Sequence, residues 1–160
     1  MSLNIIDLTI IINLILIAFN DARTLIIPDR LSFLVIGVAI LRIIFLNYED
    51  MVDNLLGGLV SFAIFEAARR IMSKFLNRDA LGIGDVKLMI GGGLWVGLSH
   101  LPSAILIACF GGLFHFGILA LFNKMQIGEH KIPFGPYLVA GILIMKLPFI
   151  LEIESLLTPF

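Results

Sequence analysis

The segment Gly82-Ile83-Gly84-Asp85-Val86-Lys87 places a carboxylate where a polar, basic stretch of the chain turns into an apolar one. Gly82 and Gly84 carry no side chain, so another segment of backbone can approach this position closely. A second carboxylate, Asp21, ends the first apolar run of the chain in a comparable way. The pattern predicts that these two acids meet at one edge of an apolar layer.

The whole chain is apolar: 59% of its 160 residues are hydrophobic and 14% are charged. The mean hydropathy is +1.06, and soluble domains usually have about a quarter charged residues. A bilayer is therefore the expected solvent. The net charge of −1 gives no reason to expect nucleic acid as a partner. The single cysteine, Cys109, predicts neither a disulfide nor a zinc site, and we expect no metal or other cofactor.

Six apolar runs predict an all-α, polytopic membrane protein with about six transmembrane helices. The predicted spans are residues 5–19, 31–46, 55–68, 86–98, 104–122 and 134–151. Because no linker or change of composition divides the chain, residues 1–160 are expected to form a single integral-membrane domain. The first run lacks a basic start and a small-residue cleavage site, so we expect a retained helix and not a signal peptide.

Lysines and arginines predict the orientation of these spans. In a six-span arrangement all of them fall on one side except Arg42 and Lys146, which lie within spans. Arg42 is close enough to the far end of its span to snorkel to the membrane surface. Because basic loops stay in the cytoplasm, both termini are expected outside. Asp21 and Asp85 are then expected to share the cytoplasmic edge of the inner membrane.

Two carboxyl groups brought together at this edge could hydrolyse a peptide bond. Neighbouring carboxyls cannot easily both ionise, so one keeps its proton. The ionised acid can take a proton from water while the protonated acid polarises the scissile carbonyl. The helix dipole disfavours negative charge at Asp21, which ends a helix, and favours it at Asp85, which begins one. We therefore expect Asp85 to be ionised and Asp21 to be protonated.

Other polar side chains near the spans have mainly structural interpretations. Asp29 follows Pro28 at the start of the second span and is expected to be a structural cap of that helix. Glu66 is expected to contact another helix or to line the site, and His115 to make an interhelical hydrogen bond. Lys87 is expected to hold lipid phosphate groups or to tune the acids.

Three segments, in order, resemble those of the type IV prepilin peptidases and the related archaeal preflagellin peptidases, which are GxGD-type aspartic membrane peptidases. The segments are Asp21-Ala22-Arg23 followed by Ile27-Pro28-Asp29, then residues 82–88, then Ile132-Pro133-Phe134-Gly135-Pro136-Tyr137. The resemblance covers essentially the whole chain and implies an aspartic endopeptidase with Asp21 and Asp85 as catalytic residues. The residues implied to bind substrate or support the site are Gly82, Gly84, Lys87, Pro133, Gly135 and Pro136.

The resemblance further implies that the protein cleaves the basic leader from prepilin-like precursors at the cytoplasmic membrane face. Membrane lipids and pilus or secretion assembly components are the other implied partners. Many bacterial members of the family carry a cytoplasmic insertion with paired Cys-x-x-Cys motifs and also methylate the new N-terminus. With one cysteine and no such insertion, this chain is similar to the short form found with tight-adherence pilus systems and in archaea. N-methyltransferase activity is therefore not expected.

Two other functions fit the same residues. A small ion- or proton-coupled transporter could bind cations with Asp21 and Asp85, but transport acids usually lie near the membrane midplane, and both acids are expected at one edge. A non-catalytic subunit of a pilus or secretion assembly would keep the fold without the chemistry. Replacement of either aspartate by asparagine separates both functions from that of a peptidase.

Overall fold

The structure is a computed structural model that describes residues 4–46, 49–76, 81–121 and 133–150. Residues 149 and 150 are described by their backbone alone. These residues form six α-helices and no β-strand. The helices are α1 (Ile5–Thr24), α2 (Asp29–Leu46), α3 (Met51–Leu76), α4 (Ile83–Val96), α5 (Leu101–Leu121) and α6 (Gly135–Ile150). The prediction of an all-α chain is thus confirmed for the described residues, and each predicted span coincides with one helix.

The helices have the surface of a membrane protein. α1, α3 and α5 are long and apolar enough to cross a membrane, and α6 is apolar but shorter over Gly135–Pro148. Large apolar side chains are exposed on the outside of the bundle, for example Phe45 of α2 and Phe114 of α5. Such a surface suits a hydrocarbon solvent. The presence of six spans and the position of the termini stay predictions.

α4 lies at the centre of the bundle, where it contacts α2, α3 and α6. Most of its side chains are buried, including the only tryptophan of the chain, Trp95. α3 approaches α4 so closely that a Cβ atom at Gly93 would lie 2.4 Å from the carbonyl oxygen of Gly57. The glycine run of α4 therefore serves helix packing. α1 packs against α2 and α6, and α5 packs against α6.

A buried polar cluster joins three helices at the end of the bundle where α1 begins. The Oδ1 atom of Asp7 accepts hydrogen bonds from Nε of Arg42 at 2.6 Å and from Nε1 of Trp95 at 2.8 Å. The side chains of Asp7 and Arg42 are almost fully buried. The prediction that Arg42 snorkels to the membrane surface is therefore wrong, because Asp7 compensates its charge inside the bundle.

Two further predictions about polar residues have clear outcomes. His115 of α5 contacts the hydroxyl group of Tyr137 on α6 through its Nδ1 atom, so the interhelical contact of His115 is confirmed. Glu66 binds Arg69 at 2.8 Å and Arg70 at 2.6 Å. Both arginines belong to its own helix, α3, so the prediction of an interhelical contact for Glu66 is wrong.

Candidate active site

Asp21 lies in the last turn of α1 and is 5% exposed. α1 ends shortly after it, because Leu25 adopts the left-handed conformation (φ 55°) and its N–H donates to the carbonyl oxygen of Asp21 at 2.9 Å. A left-handed residue is a common way to end a helix. The chain then reverses through Ile26 and Ile27 and begins α2 at Asp29.

Asp85 lies in the first turn of α4, ahead of the predicted span 86–98. Burial and, to a smaller extent, the nearby Asp21 raise the pKa of the Asp85 carboxyl to about 6, against a smaller lowering by the backbone N–H of Gly82. A carboxyl with this pKa can hold a proton close to neutral pH, which is what a general acid needs.

The two carboxyl groups share one cleft of about 200 Å³. Its lining residues are Asp21, Leu25, Ile26, Ile27, Gly82, Gly84 and Asp85. Gly84 allows the first turn of α4 to approach the loop after α1, because a Cβ atom at Gly84 would lie 2.7 Å from Cβ of Ile27. The structure thus brings together the two acids, Asp21 and Asp85, that the sequence singles out.

Gly135, the first residue of α6, binds one of these acids directly. Its N–H donates to Oδ2 of Asp21 at 2.8 Å. A Cβ atom at Gly135 would lie 2.7 Å from the same oxygen, so this contact requires a residue without a side chain. The positive end of the α6 dipole also faces the Asp21 carboxylate. Burial raises the pKa of this carboxyl, and the N–H of Gly135 opposes the rise.

The remaining predicted site residues lie around the cleft without lining it. Lys87 donates from Nζ to Oδ1 of Asp29 at 2.7 Å. Asp29 is the first residue of α2, one position inside the flanking N-cap site, and its carboxylate pairs with Lys87. Because Asp29 is 63% exposed, this ion pair contributes at most about 1 kcal/mol. Pro133 and Pro136 flank Gly135, and Pro136 occupies the first turn of α6, where proline is tolerated.

The arrangement suits acid–base chemistry by two carboxyl groups. Within the described part of the chain, no three His, Cys, Asp or Glu side chains come together in a way that could hold a metal ion. Burial raises the pKa of both acids; for Asp21 the N–H of Gly135 opposes the rise, and for Asp85 the neighbouring Asp21 adds to it. Such a pair can activate water and polarise a carbonyl group at the same time.

Comparison with known proteins identifies the family of this chain. Residues 8–117 match the Type IV leader peptidase family. The chain belongs to this family. Asp21 and Asp85 both lie within the matched range, whereas Gly135 lies beyond it.

Individual relatives carry names consistent with this membership. The prepilin leader peptidase/N-methyltransferase of Aeromonas salmonicida (strain A449) is 28% identical over 130 residues, which cover 80% of this chain and 44% of the relative. The protein of that name from Escherichia coli (strain K12) is 27% identical over 78% of this chain and 54% of its own length. The type 4 prepilin-like proteins leader peptide-processing enzyme of Escherichia coli O78:H11 is 42% identical over 56% of this chain and 31% of its own length.

This chain spans only about half of the length of these relatives or less. No solved structure matches the chain significantly.

Two contacts of functional interest were not predicted. The first is the hydrogen bond between Gly135 and Asp21, which joins residues 114 positions apart and has no local signal. The second is the Asp7–Arg42 pair, for which a signal does exist. Opposite charges within two neighbouring apolar runs are costly unless they meet, and this reasoning would have paired them.

Proposed function

We propose that this protein is a membrane aspartic endopeptidase that removes the leader from type IV prepilin-like precursors, with Asp21 and Asp85 as its catalytic residues. The observation that carries the proposal is that Asp21 and Asp85 line the same small cleft. Membership of the leader peptidase family and the names of the relatives support the substrate class. We further propose a single membrane-embedded peptidase domain with no cofactor.

We assign the two acids opposite charge states. Asp21 is the ionised base: burial raises the pKa of its carboxyl, but the N–H of Gly135 and the N-terminus of α6 oppose that rise. Asp85 is the proton donor, because its pKa is raised to about 6 by burial and by Asp21. This reverses the expectation from the sequence, which considered only the helix that carries each acid and not the α6 terminus facing Asp21.

The reaction then needs only these two groups and a water molecule. Asp21 takes a proton from water as its oxygen attacks the scissile carbonyl carbon, and Asp85 donates its proton to the carbonyl oxygen. Asp21 next gives the acquired proton to the amide nitrogen as the C–N bond breaks. Asp85 recovers a proton from the tetrahedral intermediate as the new carboxyl group forms. Both residues end the cycle in their starting states.

We propose that the cleft opens at the cytoplasmic face of the inner membrane, with six spans and both termini outside. Asp21 in the last turn of α1 and Asp85 in the first turn of α4 lie at the same end of the bundle. Arg23, Arg30 and Lys87 lie beside these acids in the sequence, and basic residues favour the cytoplasmic side. The basic leader of a precursor would leave the membrane at this level.

The test of the proposed function is cleavage of a prepilin-like precursor by the purified protein in lipid nanodiscs. We expect mass spectrometry to find one cut between the basic leader and the apolar helix. With S-adenosylmethionine added, we expect the new N-terminus to stay unmethylated, because the chain has one cysteine and no paired Cys-x-x-Cys motifs. The Escherichia coli K12 relative serves as the positive control. A precursor that this control cuts and the protein leaves intact would refute the proposal.

The proposed charge states predict the dependence of the rate on pH. Since the pKa of Asp85 is raised to about 6, its protonated form is populated below that pH and is lost above it. We therefore expect kcat/KM to fall as the pH rises through the pKa of Asp85, and to fall again in acid as Asp21 gains a proton. The two apparent pKa values belong to the pair of acids. A rate that rises through pH 6 to a plateau would contradict the assignment of Asp85 as the proton donor.

A further inference from the structure

The Asp7–Arg42–Trp95 cluster lies far from the cleft but connects the two helices that carry the acids. Asp7 belongs to α1, as does Asp21, and Trp95 belongs to α4, as does Asp85. The hydrogen bond from Trp95 to Asp7 therefore joins these helices directly. Arg42 adds a bond from α2, the helix that packs against both.

The spacing along α1 makes this connection mechanically significant. Asp7 precedes Asp21 by fourteen residues, which is close to four full helical turns and about 21 Å of helix. Both side chains thus lie on nearly the same face of α1. A tilt of α1 by about 3° around Asp7 would move Asp21 by about 1 Å over that length. A misplacement of about 1 Å in a catalytic group can reduce a rate by about 10²-fold.

The cluster is built to hold one arrangement. Asp7 is 1% exposed and Trp95 is 0% exposed, so water does not compete for their hydrogen bond. The Nη1 atom of Arg42 is buried without a hydrogen-bond partner, so Asp7 is what compensates the guanidinium. Lys146 of α6 also lies within electrostatic range of Arg42 and Asp7. A buried charge that loses its partner is strongly destabilising, which disfavours any displacement of α1 that would break the pair.

We propose that Asp7 is a positioning residue. By binding Arg42 and Trp95 at one end of the bundle, it fixes α1 relative to α4 and so sets the separation of Asp21 and Asp85 at the other end. The role of Asp7 in catalysis rests on the proposed function, whereas its effect on the separation of the helices does not.

The first experiment measures this separation without using activity. Spin labels are placed at Ala22→Cys and Ile83→Cys, two exposed positions beside the acids, in a Cys109→Ser background because the native cysteine is also exposed. Pulsed electron double resonance in nanodiscs is expected to give a narrow distance distribution for the parent protein. Asp7→Asn is expected to broaden or shift that distribution by about 1 Å or more, the displacement that the length of α1 implies.

Two further variants control this measurement. Asn13→Leu removes another buried polar group of α1, but its amide binds only the helix's own Thr9 carbonyl, so the distribution should stay narrow. Asp7→Leu/Arg42→Leu removes both members of the buried ion pair together and should therefore fold, yet it lacks the connection and should show the broadened distribution. An unchanged distribution in both Asp7 variants would overturn the proposal.

The second experiment measures the consequence for cleavage. We expect the Asp7 variants to lose about 10-fold to 100-fold in kcat with little change in KM. In the cleft, Asp21 is the titratable group facing Asp85, while Lys87 is engaged with Asp29. A wider separation of the two acids weakens the effect by which Asp21 raises the pKa of Asp85. The fall of kcat/KM with rising pH should therefore begin at a lower pH. A mere loss of folded protein would lower the rate equally at every pH.

The outcomes separate the inference from the proposed function. If Asp21→Asn and Asp85→Asn abolish cleavage while the Asp7 variants keep the parent kcat, pH profile and label distances, the positioning role is wrong and the function stands. If Asp21→Asn and Asp85→Asn still cleave, the proposed function is wrong, and the label distances alone decide the role of Asp7.

Discussion

Asparagine in place of either Asp21 or Asp85 is expected to reduce cleavage of a prepilin-like precursor by about 10³-fold or more while leaving the protein folded. General acid–base groups typically contribute between about 10²-fold and 10⁴-fold to a rate, and neither acid has a substitute within the cleft lining. An asparagine at position 21 can still accept the N–H of Gly135 through its amide oxygen. The hydrogen bond of the Asp85 carboxyl is to the backbone of Gly82, beside its own helix. The amide oxygen of an asparagine at position 85 can accept the same bond.

The measurement is single-turnover cleavage in nanodiscs, with thermal unfolding as the folding control. Because the two acids act as one unit, the double variant is expected to be no slower than the slower single variant. Asp53→Asn is the matched control, since Asp53 is a carboxylate that binds Ser99 at the opposite end of the bundle. Undiminished cleavage by either single variant would exclude the dyad as the catalytic pair. A parent protein that leaves the precursor intact would instead favour a non-catalytic assembly subunit or a transporter.

The meeting of Asp21 and Asp85 in one cleft could be predicted from the sequence because acids are rare in an apolar chain. A carboxylate at the edge of a span costs free energy and is therefore rarely accidental. Asp21 and Asp85 stood at equivalent edges of two spans, and the cleft contains both.

Contacts between distant helices could not be predicted in the same way. Arg42 was placed at the membrane surface because its position in its own span allows it, but its partner Asp7 lies 35 residues earlier on a neighbouring helix. Asp29 was expected to cap α2, yet its carboxylate pairs with Lys87 of α4. In both cases the partner is an oppositely charged residue on another helix, which the pattern of a single apolar run cannot indicate.

Helix lengths show a related effect at α3. The hydropathy pattern predicted a span of residues 55–68, whereas the helix runs from Met51 to Leu76. Arg69, Arg70 and Lys74 lower the hydropathy of the last turns but do not interrupt a helix, because long straight side chains are good helix formers. The ion pairs of Glu66 with Arg69 and Arg70 stabilise the same turns. Hydropathy therefore predicts the apolar part of such a helix and not its end.

The second large effect is expected for Gly135→Ala. A Cβ atom at this position would lie 2.7 Å from Oδ2 and 3.0 Å from Cγ of Asp21, so either the carboxylate rotates or the start of α6 moves away. Both movements break the hydrogen bond from the Gly135 N–H to Asp21. Displacement of the base by about 1 Å is expected to lower kcat by about 10²-fold.

This loss should occur without a matching loss of stability. Gly135 is not among the described residues with positive φ, so alanine is compatible with its backbone, and alanine has a higher helix propensity than glycine by about 1 kcal/mol. The unfolding temperature is therefore expected to change little while single-turnover cleavage slows. Gly117→Ala is the matched control, because a Cβ atom there would meet nothing within 4 Å, and it should cleave at the parent rate. If Gly135→Ala also cleaved at the parent rate, the contact between α6 and Asp21 would have no part in placing the catalytic base, and the charge states assigned to the two acids would lose their main support.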